Sequence, residues 1–169
     1  MGGTGSMQED TLGTNMLSQA YGLKGIITYV PFRGGGTVAK ELIGKHINST
    51  VNNPSEQLGF YQAGKTRALA AFTPTRLPLF PDAPTFKELG KDFVYFMQRT
   101  VVGAPGMSKE AATYYRQLFA KIYGSDEWQG YMAKKSLQGG FITGKILMKY
   151  WLREKAIHKV MLRKMGAIK

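Results

Sequence analysis

The chain contains no cysteine. Disulfides, thiolate zinc sites and cysteine nucleophiles are therefore excluded, and cysteine usage leaves the redox compartment open. Histidine is nearly as scarce, with His46 and His158 alone, so a histidine-rich metal site is not expected. No apolar run approaches the roughly 18 residues a membrane-spanning helix needs. A nucleophile elbow, a paired-carboxylate signature and metal-ligand spacing are all missing, so neither catalysis nor a cofactor is expected. The N-terminus begins Met1-Gly2-Gly3 without the apolar stretch of a signal peptide. The protein is thus cytoplasmic as written, or a segment of something longer.

What is present is ordinary for a folded protein. Its 169 residues allow one or two domains with a real core, and 43% hydrophobic with 20% charged residues is a globular balance. Acidic residues are few, 11 Asp and Glu against 23 Lys and Arg, for a net charge of +12. The imbalance is local. Residues 1–98 hold 9 basic and 7 acidic side chains, whereas residues 99–169 hold 14 and 4.

One stretch organises the N-terminal part: Tyr29-Val30-Pro31-Phe32-Arg33-Gly34-Gly35-Gly36. It reads as a strand over 25–30, ended by Pro31, running into a glycine turn that opens a helix over 38–43 with Thr37 as N-cap. Three glycines permit positive φ and close approach to a bound group. Free N–H groups at a helix start make such a turn a common anion site. A second glycine loop, Gly2-Gly3-Thr4-Gly5-Ser6, precedes a helix with Ser6 as N-cap and Glu9 at its third position. No strand is expected before this loop, which reads as a missing beginning.

The alternation continues. A weak strand is expected over 47–51, a helix from Asn53-Pro54-Ser55-Glu56 to about Ala63, and a strand over 67–72 apolar on both faces. A proline-rich loop follows over 73–84. Thr85-Phe86-Lys87-Glu88 begins a short capped helix, and 93–102 reads as a long strand crossing between lobes. Helices then start at Ser108, Ser125 and Thr143. Their apolar stripes are Ala111, Tyr114, Tyr115, Leu118, Phe119 and Ile122; then Trp128, Tyr131 and Met132; then Leu147, Tyr150, Trp151, Ile157, Met161 and Met165. The pattern predicts an α/β lobe with a mainly parallel sheet, residues 1–98, and a helical C-terminal segment, residues 99–169.

Six stretches in this order resemble the substrate-binding receptors of tripartite tricarboxylate transporters, the TctC or Bug type. They are residues 3–10, residues 29–36, Asn52-Asn53-Pro54-Ser55-Glu56, residues 63–70, residues 76–90 and Gly103-Ala104-Pro105-Gly106. The resemblance implies a two-lobed periplasmic-binding-protein fold that closes on a small carboxylate and delivers it to membrane permease subunits. Residues 1–98 would be the second, ligand-binding lobe without its opening elements. Residues 99–169 would be the return segment and helices of the first lobe, and location would be periplasmic. A remnant without independent function is a further alternative, and surface left by the missing lobe predicts self-association. One departure stands out: residues 141–169 are strongly basic, where family members tend to be acidic.

The resemblance places ligand contacts at Gly3, Thr4, Gly5, Ser6, Asp10, Pro31, Phe32, Gly34, Gly35 and Asn52. Each has a plainer reading. Ser6 caps its own helix, Asp10 is a favourable charge in a first helical turn, Phe32 is core, and Asn52 makes a turn. Arg33 is a solvated charge. The basic last helix, with Lys145, Lys149, Lys155, Lys159, Arg163 and Lys164, reads as a solvated face; the alternative is an interaction protein contacting nucleic acid or an anionic membrane. No base-reading motif accompanies it, so nucleic acid is not the expected partner.

Overall fold

The structure is a computed structural model describing residues 1–169. It divides into two compact units, Met1–Met97 and Gln98–Lys169.

In the first unit two short strands, β1 (Gly2–Thr4) and β2 (Val30–Phe32), pair in parallel with Gly3 opposite Pro31. The glycine loop at the N-terminus is therefore itself a strand, contrary to expectation, and β2 runs through the proline that was to end it. Alternate residues of a parallel strand bond to a given neighbour. Val30 N–H donates to Met1 O at 2.9 Å and Phe32 O accepts from Gly5 N–H at 3.0 Å, so the nitrogen of Pro31 faces away from β1. A proline is tolerated on that open edge. Residues 47–51 contribute only a bridge from Thr50 to Gly2.

Gly2 and Gly3 are small for a steric reason. A Cβ on Gly2 would lie 3.0 Å from the Phe32 ring and overlap Ile47, and one on Gly3 would lie 2.6 Å from both the Asp10 Cβ and the Tyr29 hydroxyl. The strand is thus wedged between α1 (Glu9–Ala20) on one side and Ile47 and β2 on the other. The helix α1 starts two residues later than the Ser6 cap requires. Gln8 is its N-cap without a side-chain bond, and Ser6 is exposed. Gly34, with extended φ of 176°, caps α2 (Gly35–Ile43) where Thr37 was expected to do so. Helix α3 (Pro54–Gln62) begins as the sequence indicates, with Asn53 at the N-cap and Pro54 in the first turn.

Residues 67–72 and 93–102 are not strands. Each lacks the neighbouring chain that a ladder needs. Ala71 bridges Thr85, and Tyr95 N–H donates to Phe72 O at 3.0 Å. Alternation in burial survives without a ladder: Phe93, Tyr95 and Met97 are half-buried while Val94 and Phe96 are exposed. Leu69, expected to be buried, is 60% exposed. The core instead gathers in the proline loop, where Ala71, Leu77, Phe80 and Ala83 are buried under Leu58 and Tyr61 of α3. Complete burial of one such side chain as large as Phe80 is worth about 1.5–3 kcal/mol. Thr85 and Glu88 close the expected capping box around a single turn: Thr85 N–H donates to Glu88 Oε2 at 2.6 Å and Glu88 N–H to Thr85 Oγ1 at 3.2 Å. The Arg76 guanidinium adds bonds at 3.0 and 3.2 Å to the same carboxylate. The Thr85 backbone donor first, and then Arg76, hold Glu88 below its ordinary carboxylate range.

The second unit is helical: α4 (Lys109–Tyr123), α5 (Asp126–Lys134) and α6 (Gly144–Lys164). Ser108 accepts from Ala111 N–H and Ser125 from Trp128 N–H, both as expected of N-caps. Thr143 occupies the N-cap of α6 without a side-chain bond. No residue of these helices is buried, so their stripes are narrower than the sequence indicates. Tyr114, Tyr115, Ile122, Tyr131 and Ile157 are exposed. On α6, Leu147, Tyr150, Trp151, Met161 and Met165 are half-buried, joined by Glu154 and by His158, whose Nδ1 lies 2.8 Å from Glu154 O. No helix is long and apolar enough to cross a membrane.

Candidate functional site

Parallel pairing carries both strands in the same direction, so their C-terminal ends lie side by side. Each end turns into a helix N-terminus: β1 leads through Gly5 to α1, and β2 through Gly34 to α2. In open parallel sheets the strand ends are where ligands dock, because loops diverge there and helix N-termini face them. Of the ten residues singled out from the sequence, Thr4, Gly5, Ser6, Phe32, Gly34 and Gly35 lie at the strand ends and the turns after them, Gly3 and Pro31 face each other mid-strand, Asp10 is in α1, and Asn52 bonds to Gly35.

The first loop is tightly internally bonded. Gly5, at φ 62°, makes the left-handed turn that aims the chain from β1 toward α1. Its N–H is taken by Phe32 O, and Thr4 N–H donates to Asp10 Oδ2 at 2.7 Å. Asp10 is buried, in the first turn of α1, and folds back over the loop. Burial pushes its carboxyl above the ordinary value against the lowering effect of the Thr4 N–H, and the charges of Glu56 and Glu9 push the same way as burial. Tyr29 donates from its hydroxyl to Gly5 O at 2.9 Å and Thr4 O at 3.2 Å, and Thr11 donates to Gly5 O at 3.3 Å. Burial, reinforced by the Asp10 charge and opposed by Thr11, raises the Tyr29 phenol. It therefore remains a donor at neutral pH.

The second loop is more open. None of Gly34, Gly35 and Gly36 lies in the left-handed region, so backbone freedom is not what these glycines supply. At Gly35 the reason is proximity: the Glu56 carboxylate lies where its Cβ would be. Gly34 and Gly36 face open space. Thr37 N–H and Val38 N–H both donate to Gly34 O, at 3.0 and 3.1 Å, which leaves the N–H groups of Gly35 and Gly36 as the open donors at the start of α2. Asn52 reaches this loop, its Nδ2 donating to Gly35 O at 3.2 Å while its Oδ1 accepts from Asn53 N–H at 2.9 Å.

Gly3, Thr4, Gly5, Asp10 and Phe32 thus form one bonded cluster, with Pro31 opposite Gly3, and Gly34, Gly35 and Asn52 form another. The Gly5 N–H bond to Phe32 O ties the first loop to the strand that leads into the second, and Ser6 is exposed. Sequence reasoning missed Tyr29, Thr11 and Glu56 as builders of the edge. Tyr29 looked like a strand residue and Glu56 like a first-turn acid of α3; their reach across 24 and 21 residues to Gly5 and Gly35 leaves no local pattern. Thr11, one residue after Asp10 on the exposed-looking side of a helix start, carries no signal of its own. No three His, Asp or Glu side chains come together as a metal-binding group.

Comparison with known proteins fits this arrangement. The profile of the tripartite tricarboxylate transporter family receptor, TctC, matches residues 1–123. A UPF0065 protein of Cupriavidus necator is 23% identical over 168 residues, 99% of this chain and 50% of that protein. Another, from Agrobacterium vitis, is 35% identical over 92 residues, 54% of this chain and 25% of that protein. Among solved structures, an R. palustris protein with adipate superposes with a TM-score of 0.88, covering 98% of this chain and 55% of that one, at 22% identity. A TctC solute-binding protein from Polaromonas without ligand superposes at 0.72, covering 96% and 56%, again at 22% identity. The fold is that of TctC periplasmic binding proteins, and the chain spans about half the length of these relatives or less. The chain belongs to the tripartite tricarboxylate transporter receptor family, TctC.

Proposed function

We propose that the chain binds a small carboxylate at the edge formed by Gly3–Ser6, Pro31–Gly35 and Asn52, as the solute-binding component of a tripartite transporter. The observation that carries the reading is the juxtaposition of two strand ends, each leading into a helix N-terminus, with Asn52 bonded to the second. Thr4 and Gly5 already spend their N–H groups internally, so the first loop offers the Ser6 hydroxyl and a fixed wall. The second loop, at the start of α2, offers the anion the N–H groups of Gly35 and Gly36, in competition with the Glu56 carboxylate that stands over Gly35. The adipate found in the R. palustris relative is a ligand of this chemical class. Binding involves no bond making, and the chain acts as a receptor rather than an enzyme.

In this reading residues 1–98 are the ligand-binding lobe and residues 99–169 belong with the facing lobe. The location is periplasmic and permease subunits receive the loaded protein. A receptor of this type encloses its ligand from two sides. The 169 residues therefore bind weakly by themselves and self-associate through apolar surface that the facing lobe would cover. Calorimetric titration with adipate, succinate and citrate tests the reading. Weak, saturable heat with at least one acid, and none with the corresponding diol, is expected. If a protein extended to the length of its relatives also gives no heat with any carboxylate, the transport reading fails.

A further inference from the structure

Helix α6 has a face that the carboxylate site leaves unexplained. The family profile ends at residue 123, before this helix begins. Its 21 residues hold seven Lys and Arg and one acid, Glu154. That acid is half-buried and paired with Arg153 at 3.1 Å, so the solvent side carries cations without a neighbouring free carboxylate on the same helix. At 1.5 Å per residue the row is about 31 Å long.

The same side carries large aliphatic groups. Ile146 is 68% exposed, Leu152 60%, Met148 53% and Val160 51%. They alternate with cations around the helix. At about 100° per residue, Met148 and Leu152 fall between Lys155, Lys159 and Lys145, while Ile146 and Val160 flank Arg153 and Lys149. Single exposed aliphatics are common on protein surfaces; four on one cationic face of one helix are a pattern. The half-buried apolar stripe of α6 is a different one, Leu147, Tyr150, Trp151 and Met161.

Phosphate-bearing surfaces attract such cations, but a nucleic-acid backbone has no use for exposed aliphatics between them. A bilayer uses both. Headgroup phosphates meet the Lys and Arg ammonium and guanidinium groups, whose alkyl stems lie along the surface. The aliphatic side chains reach the boundary with the acyl chains. We propose that the solvent face of α6 docks this protein on an anionic phospholipid bilayer, lying in the plane of the surface. Neutral lipid supplies no charge attraction and is bound much more weakly.

Co-sedimentation of the full chain with phosphatidylcholine vesicles, with and without a minority of phosphatidylglycerol, tests the proposal. The chain is expected to sediment with the anionic vesicles and to remain in solution with the neutral ones. Each cation near the surface contributes roughly fivefold in partitioning, so Lys149→Glu with Lys159→Glu is expected to weaken binding at least tenfold. Leu152→Ser with Val160→Ser is expected to weaken it several-fold, most clearly at high salt, where the apolar part of binding remains. Both pairs lie on the exposed face, and unchanged helical circular dichroism verifies that α6 persists. Equal sedimentation with neutral vesicles, or none with either, overturns the proposal. So does an unchanged affinity for anionic vesicles in the Leu152 and Val160 variant, the result expected of a surface built for nucleic-acid phosphates.

Discussion

Asp10 is the residue on which the folded edge and its charge balance meet, and its replacement separates two effects. In the native chain the carboxylate is 5% exposed and accepts from Thr4 N–H at 2.7 Å. Asp10→Ala removes the acceptor and leaves that N–H without it inside a partly closed turn, at a cost of about 1–3 kcal/mol. For a unit of 97 residues this corresponds to a fall in Tm of about 5–15 °C. Asp10→Asn keeps an acceptor oxygen for Thr4 and removes the buried charge that Glu56 and Glu9 oppose. Since the folded carboxyl is raised above its ordinary value, the protonated form suits the fold better than the ionised one. Native stability from this group is thus fully present below the ordinary value and is lost as pH rises through the raised one. At neutral pH Asp10→Asn is therefore expected to match or exceed the native protein, and its advantage should shrink as pH falls toward and below the ordinary carboxylate value. The assay must see the first unit. Both tryptophans, Trp128 and Trp151, lie in the second unit, so far-UV circular dichroism is the appropriate signal and tryptophan emission is the internal control. If Asp10→Asn destabilises as much as Asp10→Ala at neutral pH, the ionised charge is an asset, and the burial reading of Asp10 is wrong.

Other substitutions probe the remaining supports. Gly3→Ala places a methyl 2.6 Å from Asp10 Cβ and the Tyr29 hydroxyl, so β1 and α1 must separate; a loss of about 2–4 kcal/mol, from an overpacking strain and a weakened Thr4–Asp10 bond, is expected in urea unfolding followed by circular dichroism. A neutral result there would mean that the wedge around β1 is loose. Ser125→Ala removes the cap that accepts from Trp128 N–H and should cost about 1 kcal/mol, read directly in the Trp emission of the second unit. Phe80→Ala, emptying the centre of the proline-loop core, should cost about 3–5 kcal/mol in the first unit and leave the Trp signal in place; loss of both signals together would show that the units unfold as one.

What could be read from the sequence follows the range of the interactions. Helix starts with a local device were legible: Ser108, Ser125 and the Asn53-Pro54 pair each announce a helix with their own side chain or ring, whereas the Thr85–Glu88 box closes as expected but opens a turn and not the expected helix. Strands were not, because pairing is decided by a partner elsewhere in the chain. Residues 67–72 have strand-like composition and residues 93–97 alternating burial, but neither has a ladder, whereas Gly2-Gly3-Thr4, which opens with two glycines unfavourable to a strand, pairs where Ile47, Phe32, Asp10 and Tyr29 leave room only for glycine at those two positions. The family resemblance supplied what periodicity could not, the order of the glycine segments. It could not say that Asp10 and Tyr29 occupy the first loop from within, or that Glu56 stands over Gly35. Those contacts depend on the packing of three separate segments.

Carboxylate binding at the strand ends is tested by amide chemical-shift mapping during an adipate titration. Shifts are expected at Ser6, Gly34, Gly35, Gly36 and the Asn52 side-chain amide, with the amides of α4 and α5 unmoved. Shifts confined to the lysines and neighbouring amides of α6, or a spectrum of the folded chain that does not change at all, would contradict it.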